Sequence, residues 1–215
     1  MSKYRHIIWD WNGTLLDDAE TCVEVLNELL CRRGKSPVTY EQYRELFDFP
    51  VKDYYIRLGF DFNAESFDEI AHEYIDSYRQ KQLTCSLHDG AVDALESCRE
   101  LGLSQSILSA YQQDLLEEVT QYFNIQDFFI KLVGRDDLYA HSKTDNGIEL
   151  LAQLGLSGEQ ILLIGDTIHD YEVAEAMSVD CVLIANGHQR HQRLQDCGAT
   201  ILGSLAEIPA IVCKR

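Results

Sequence analysis

The stretch that decides the fold is residues 6–16, which read His-Ile-Ile-Trp-Asp-Trp-Asn-Gly-Thr-Leu-Leu. Three β-branched or aromatic residues, Ile7 to Trp9, follow a polar start and predict a buried strand. Asp10 comes where that strand should end, and Asn12-Gly13 is a strong turn signal. Because open α/β sheets bind ligands beyond the carboxyl ends of their strands, Asp10 is a candidate site residue. Taken alone, the segment is equally compatible with an acidic turn of no catalytic function.

Helical patterns fill the next part of the chain. Apolar residues at spacings of three and four predict a helix over Cys22–Leu30. Shorter helical patterns cover Tyr40–Phe47 and Tyr54–Leu58, and Ser66 is placed to cap a longer helix. Since no strand pattern interrupts this part, we predict a small all-helical cap domain over residues 17–82.

Strands and helices alternate from residue 83 onward. Buried strands are predicted over Gln105–Leu108, Ile161–Ile164 and Val182–Ile184, with helical patterns between them. This alternation is typical of βαβ units and a parallel sheet. We therefore predict a doubly wound α/β core domain, Rossmann-like in its sheet, made of residues 1–16 and 83–215.

Further polar residues occur at predicted strand ends and helix starts. Ser109 and Asp166 follow strands, and Lys143 begins a helix. We expect these residues to converge with Asp10, because the carboxyl ends of parallel strands share one edge of the sheet. Each has a simpler structural alternative. Ser109 could cap the next helix, and Lys143 could be a solvated side chain. Asp166 and Asp170 could serve only to charge a helix N-terminus.

Taken together, these segments resemble the motifs of the haloacid dehalogenase-like (HAD) hydrolases. Residues 10–14, D-W-N-G-T, resemble the nucleophile motif D-x-D-G-T, with Asn12 in place of the second Asp. Residues 165–170, G-D-T-I-H-D, match the fourth motif, G-D-x-x-x-D. Ser109 and Lys143 match the second and third motifs in order and context. With its helical insertion, the chain is most similar to the phosphoglycolate phosphatase-like branch of the family.

The resemblance implies a hydrolase of small phosphate monoesters that forms an aspartyl-phosphate on Asp10. It also implies a Mg²⁺ cofactor, which takes hard oxygen ligands. The implied metal ligands are Asp10, the backbone carbonyl of Asn12, Asp166 and Asp170. The residues implied to bind the transferred phosphoryl group are Ser109, Ala110 and Lys143. Lys143 would also restrain Asp10 electrostatically.

Asn12 departs from the family's pattern. In the phosphatases of the family, the second Asp protonates the leaving alkoxide and then activates water. An amide can do neither, and loss of one general acid–base group typically costs about 10²- to 10⁴-fold in rate. We therefore predict a slow phosphatase that prefers good leaving groups.

Two other functions stay open. Phosphonatases have a small residue at the second Asp position and use a cap lysine to form a Schiff base, and Lys52 stands in a similar part of the cap. A solvated lysine or a contact to substrate phosphate is the simpler interpretation of Lys52. Arg57 is a second cap candidate for substrate binding, by location only. The chain could also be a phosphate-ligand binding or regulatory protein with weakened turnover.

Composition limits the class of partner. The formal net charge of −18 over 215 residues argues against nucleic acids and anionic membranes, and favours a cation in any carboxylate-lined site. The seven cysteines contain no C-x-x-C pair and give no sign of a zinc site. Since there is no charged-then-apolar leader and no long apolar run, we expect a cytoplasmic protein. The expected partner is a small phosphorylated metabolite; the sequence does not indicate an oligomeric state.

Overall fold

The computed structural model describes residues 2–135 and 142–213. The strands in these ranges are β1 (His6–Trp9), β2 (Leu16–Asp17), β3 (Ser86–Leu87), β4 (Ser104–Gln112), β5 (Lys131–Arg135), β6 (Ile161–Gly165), β7 (Asp180–Ile184) and β8 (Thr200–Leu202). Six of them form one parallel sheet in the order β5-β4-β1-β6-β7-β8. β2 and β3 form a separate antiparallel pair.

The same ranges contain the α-helices. They are α1 (Ala19–Arg32), α2 (Tyr40–Leu46), α3 (Val51–Arg57), α4 (Phe67–Lys81), α5 (Ala91–Glu100), α6 (Gln113–Tyr122), α7 (Lys143–Leu154), α8 (Ile168–Met177), α9 (His191–Leu194) and α10 (Ile208–Val212). Across the described chain, none of the helices has the length and apolar character needed to cross a membrane.

The six-stranded sheet is buried on both faces, as its apolar strands predict. Along β1, Ile7 and Trp9 belong to the hydrophobic cluster on one face, and Ile8 belongs to the cluster on the other. β6 alternates in the same way, with Leu162 on the first face and Leu163 on the second. Residues of α5, α6 and α10 cover the first face, and residues of α7 and α8 cover the second. The predicted doubly wound α/β architecture is confirmed.

β1 lies at the centre of this sheet, where the strand order switches from one side of β1 (β4 and β5) to the other (β6, β7 and β8). Trp9 pairs with Ile107 of β4 on one side and with Ile164 of β6 on the other. Asp10, which follows Trp9, therefore lies between the carboxyl-terminal parts of β4 and β6. A parallel sheet binds ligands at such a switch point, because the loops there diverge to opposite faces and leave a crevice.

The four helices α1 to α4 form the predicted helical insertion. They share a hydrophobic cluster of their own, rich in tyrosine and phenylalanine. Capping boxes at Thr39 and Ser66 begin α2 and α4. The insertion joins the core through β2 and β3, a short pair that was not predicted from the sequence. We keep residues 17–82 as the proposed cap domain, a division that the separate clusters support.

β4 is longer than predicted. The sequence pattern ends its strand at Leu108, whereas the structure continues it to Gln112. The pairing with β5 is interrupted after Leu108, which pairs with Val133, and resumes where Gln112 pairs with Arg135. An irregularity of this kind breaks the apolar alternation, so the outer part of the strand has no periodic signal. β8 was not predicted either.

The central position of β1 gives a direct stability prediction. Ile8 is fully buried, so Ile8→Ala should lower the free energy of unfolding by about 2–5 kcal/mol. Ile148, on α7, is 47% exposed, and Ile148→Ala should change stability by no more than about 0.5 kcal/mol. Urea unfolding of both variants measures the difference. Equal losses in the two variants would contradict the assigned core.

Candidate active site

Lys143 joins two carboxylates at the floor of the crevice. Its Nζ lies 2.5 Å from Oδ1 of Asp10 and 2.6 Å from Oδ1 of Asp170, and all three residues are buried. Burial alone would lower the pKa of Lys143, but the two carboxylates outweigh it and raise the pKa. Burial alone would raise the pKa of Asp170, but Lys143 and hydrogen bonds from Thr167 lower it. The lysine is therefore charged and fixed between the two carboxylates.

Two capping boxes place these side chains. Ser142 and Asp145 exchange hydrogen bonds and begin α7 at Lys143, as the sequence predicted. Thr167 and Asp170 do the same at the start of α8. Each box fixes where its helix begins, and so fixes the direction of the first side chains.

Asp166 completes a cluster of three carboxylates. Oxygen atoms of Asp10, Asp166 and Asp170 lie within 4.8 Å of one another. Asp166 accepts hydrogen bonds from Thr14 Oγ1 at 2.9 Å and from the backbone nitrogen of His188 at 2.6 Å. Burial raises the pKa of Asp10 to about 7 and that of Asp166 to about 6. A divalent cation with hard oxygen ligands would offset this concentration of buried negative charge.

Two glycines allow the backbone to come close to Asp166. A Cβ atom at Gly13 or at Gly187 would overlap the carboxylate of Asp166. Gly13 also has a φ angle of +74°, in the left-handed region that favours glycine. The Asn12-Gly13 turn and the Asn186-Gly187 dipeptide after β7 thus both lie against the carboxylate cluster.

Ser109 and Ala110 line the same cavity as Asp10 and Lys143. They lie in the irregular part of β4, where the pairing with β5 is interrupted. Ser109 is buried, and its Oγ accepts a hydrogen bond from the backbone nitrogen of Tyr111 at 3.1 Å. The structure therefore brings residues of all four motifs to one crevice.

The side chain of Asn12 is bound to Asp18, the residue immediately before α1. Nδ2 of Asn12 donates hydrogen bonds to Oδ2 of Asp18 and to the hydroxyl of Tyr78, both at 2.8 Å. The Tyr78 hydroxyl donates to the same Asp18 oxygen at 2.6 Å, and the backbone nitrogen of Gly13 donates to Oδ1 at 2.8 Å. Asp18 precedes α1 but makes no capping hydrogen bond. No local pattern distinguishes such an aspartate from an ordinary cap.

His188 approaches the same aspartate from the core domain. Its Nε2 lies 3.5 Å from Oδ1 of Asp18, and its Nδ1 lies 2.9 Å from the hydroxyl of Tyr43. Burial alone would lower the pKa of His188, but Asp18 outweighs it and raises the pKa to about 9. Burial would raise the pKa of Asp18, but His188 and the donated hydrogen bonds hold it at about 2. The two form a buried ion pair that no sequence motif indicated.

The cap lies closed over this floor. Arg44, in α2, donates a hydrogen bond to the carbonyl oxygen of Ala185 at 2.6 Å. In the opposite direction, Nε2 of Gln189 donates to the carbonyl oxygen of Phe47 at 3.0 Å. His169 lines the cavity and stacks on Phe49 with the ring centres 4.6 Å apart.

Lys52 and Arg57 are not brought to the cavity. Helical periodicity turns Tyr54 of α3 inward and leaves both basic side chains exposed. Nζ of Lys52 lies 5.6 Å from the centre of the Phe62 ring, and Nη2 of Arg57 lies 3.8 Å from Oδ2 of Asp48. Lys52 and Arg57 were proposed as substrate-binding residues only because they lie in the cap segment. That location does not determine which side of α3 their side chains occupy.

Comparison with known proteins identifies the family. The chain matches the family model described as haloacid dehalogenase-like hydrolase over residues 7–184. It belongs to that family. Among solved structures, it is similar to a haloacid dehalogenase-like family hydrolase from Streptococcus pneumoniae, with a TM-score of 0.84, 20% identity, and coverage of 98% of this chain and 99% of that one.

Curated relatives of this HAD hydrolase carry different activities. A phosphoglycolate phosphatase from Pseudomonas putida is 22% identical, over 86% of this chain and 70% of its own length. The tyrosine-protein kinase PtkA from Mycobacterium tuberculosis is 24% identical, over 94% of this chain and 69% of its own length. Membership of the family therefore does not by itself choose a reaction.

The raised pKa values of Asp10 and Asp166 predict pH-dependent metal binding. Both folded-state values lie above the ordinary value of 3.8, so the metal-free protein loses stability from these groups as the pH rises from about 4 to about 7. A divalent cation bound by these carboxylates would have to displace any proton on them, so its affinity should rise over the same range. We expect Mg²⁺ to raise the melting temperature more at pH 8 than at pH 5. At pH 8, a Mg²⁺ concentration of about 100 times its Kd should raise the free energy of unfolding by about 2.7 kcal/mol.

Thermal melts with and without Mg²⁺ at each pH measure this effect. The Asp166→Asn variant is the control, because it removes one carboxylate of the cluster while it keeps the size of the side chain. A shift of equal size at pH 5 and pH 8, or an undiminished shift in Asp166→Asn, would contradict binding at these carboxylates.

Proposed function

We propose that this chain is a divalent-metal-dependent phosphatase that cleaves small phosphate monoesters through an aspartyl-phosphate on Asp10. The observation that carries the proposal is the buried Lys143 ammonium between Asp10 and Asp170 on the floor of one cavity, with Asp166 in the same carboxylate cluster. A protein that only binds a ligand has no need of a nucleophile held in this way. The phosphatase names among the relatives are consistent with this reaction.

Asp10 would act through its second carboxylate oxygen. Lys143 holds Oδ1, whereas among the described residues none donates a hydrogen bond to Oδ2. Attack by Oδ2 on phosphorus would form the aspartyl-phosphate bond as the ester P–O bond breaks, and the leaving oxygen would take its proton from water. Water would hydrolyse the aspartyl-phosphate in a second step. Ser109 and the Lys143 ammonium would bind the phosphoryl oxygens while the phosphoryl group is transferred.

The residues on the floor fit a magnesium ion. The donor set consists of hard carboxylate oxygens within 4.8 Å of one another, and the glycines beside Asp166 leave space for the backbone to approach. We propose Asp10, the backbone carbonyl of Asn12, Asp166 and Asp170 as the residues that hold it, with Asp170 acting directly or through water. When bound, the ion would supply positive charge beside the phosphoryl oxygens.

Asn12 limits the reaction. Its amide donates hydrogen bonds to Asp18 and Tyr78 and has no proton to transfer at neutral pH. The leaving oxygen therefore lacks a carboxylic acid at the usual position, and water lacks the usual base. A slow enzyme that prefers acidic leaving groups is the expected consequence.

A binding or regulatory role remains the second candidate, because Asn12 is a specific observation in its favour. The Schiff-base alternative receives no support from the position of Lys52, which is exposed on the outer side of α3.

Phosphate release from p-nitrophenyl phosphate with Mg²⁺ tests the proposed function. We expect slow release by the native chain, faster than release from ethyl phosphate, and loss of activity in Asp10→Asn. Asp76→Asn, an exposed aspartate on α4, is the matched control and should keep full activity. Equal, fast turnover of the aryl and alkyl esters would contradict the role of Asn12. Activity that survives Asp10→Asn would contradict the aspartyl-phosphate, and no release at all would favour the binding role.

The contact between Asn12 and Asp18 predicts a non-additive pair of substitutions. Asn12→Asp restores a carboxylate at the acid–base position but sets it 2.8 Å from the Asp18 carboxylate, so the two must share a proton or repel each other. The double variant Asn12→Asp/Asp18→Asn exchanges the amide and the carboxylate. An amide at position 18 can then donate a hydrogen bond to the carboxylate at position 12. We expect the double variant to gain up to about 10²-fold in kcat on ethyl phosphate at pH 7, and the single variant to gain less.

Steady-state rates on ethyl phosphate and melting temperatures of both variants measure this. The native sample must be freshly prepared and checked by mass spectrometry, because deamidation of Asn12-Gly13 would produce the same aspartate. A gain in the single variant equal to or above that of the double variant would show that Asp18 does not constrain position 12.

A further inference from the structure

The roof of the active-site cavity differs in chemistry from its floor. The cavity has a volume of about 420 Å³ and includes Asp10, Ser109 and Lys143 at its base. The cap closes it with aromatic and aliphatic side chains, among them Phe47, Phe49, Tyr54, Phe67, Tyr74 and Ile75. A volume of this size lies within the range of pockets that bind organic ligands much larger than a phosphoryl group.

Positive charge is concentrated on the floor of the cavity. Of the described lining residues contributed by the cap, none is a lysine or an arginine, whereas Asp68 is among them. Lys143 and His188 are already paired with buried carboxylates. Arg135 enters the lining from the end of β5, on the core side. A carboxylate on the leaving group would therefore be buried against the cap without a cation from the cap.

The hydroxyl of Tyr54 does not reach the cavity surface. The residue lines the cavity, yet it is 1% exposed, and its hydroxyl is buried without a hydrogen-bond partner among the described residues. Tyr54 therefore adds no accessible hydrogen-bond donor to the roof.

We propose that this cavity takes phosphate monoesters whose leaving group is uncharged and largely apolar, rather than a small carboxylate such as glycolate. This inference rests on the proposed function, since it concerns the leaving group of the same reaction. The phosphoryl group lies at Asp10, and the apolar chain or ring of the alcohol extends upward between the aromatic side chains of α2, α3 and α4. Removing that apolar surface from water stabilises the complex in proportion to its size.

Binding of non-hydrolysable phosphonates tests the proposal without turnover. Calorimetry of the native chain with Mg²⁺ compares ethyl-, butyl- and hexylphosphonate with phosphonoacetate. We expect Kd to fall about fourfold for each added methylene, on the order of 10²-fold from ethyl to hexyl. Phosphonoacetate should bind no better than ethylphosphonate. A flat alkyl series, or tightest binding of phosphonoacetate, would overturn the proposal.

A cavity-filling variant locates the effect. Ala71 lines the roof on α4, so Ala71→Phe should weaken hexylphosphonate at least about tenfold and leave ethylphosphonate nearly unchanged, by removing space for about two methylenes or more. Ala64→Phe makes the same change at an exposed cap position and should alter neither Kd. Melting temperatures of both variants show whether the cap is still folded. Equal weakening of both ligands by Ala71→Phe, or equal effects of the two substitutions, would place the alkyl chain elsewhere.

Turnover separates this inference from the proposed function. The alkyl phosphates keep the leaving-group acidity nearly constant, so kcat/KM should rise along the series in parallel with binding. If p-nitrophenyl phosphate is cleaved while 2-phosphoglycolate is preferred to hexyl phosphate, the leaving-group inference is wrong and the phosphatase stands. If phosphonate binding follows chain length but no ester is cleaved, the cavity is correctly described and the phosphatase is wrong.

Discussion

The burial of four carboxylates against two cations is the constraint on which the rest of this structure depends. In the described part of the chain, the buried carboxylates of the site are Asp10, Asp18, Asp166 and Asp170, and the cations are Lys143 and His188. Asp10 and Asp170 share the single positive charge of Lys143, and His188 pairs with Asp18. Asp166 receives its hydrogen bonds from neutral donors, the Thr14 hydroxyl and a backbone nitrogen. Buried charge without a partner is costly, so the excess at Asp10 and Asp166 explains both their raised pKa values and the fit to a divalent cation.

The fold and the floor of the site could be predicted because their signals are local. A buried apolar strand followed by a polar residue identifies Asp10 and Asp166, and the serine before Lys143 caps α7. Parallel strands end at one edge, so short local patterns were enough to predict that these residues meet. The same holds for the helices of the cap, whose apolar periodicity and capping serine at position 66 belong to single segments.

The remainder of the site depends on contacts between segments that are distant in sequence. Asp18 has the pattern of a helix start, yet its side chain does not cap the backbone of α1 and binds Asn12 instead. His188 lies in a loop after β7, where only a turn could be predicted. Which face of α3 turns toward the cavity depends on how the cap packs. The position of Lys52 in the sequence therefore could not show that its side chain is exposed and does not line the cavity. Side-chain direction in short helices and loops is set by tertiary packing, which local patterns do not contain.

The loop after β7 connects the carboxylate cluster with the cap. The backbone nitrogen of His188 binds Asp166, while its ring binds Tyr43 of the cap and faces Asp18. The adjacent Gln189 holds a cap carbonyl oxygen through its side chain. Because one loop satisfies buried groups in both places, movement of the cap away from the core would break the hydrogen bond between His188 and Tyr43. Asp18 is also bound to Asn12 and Gly13 of the core, so opening would expose its ion pair with His188 to water rather than separate the two residues. Water weakens such a pair, so closure of the cap and the electrostatic state of the site are coupled, and the residue at position 12, which binds the same Asp18, contributes to that coupling.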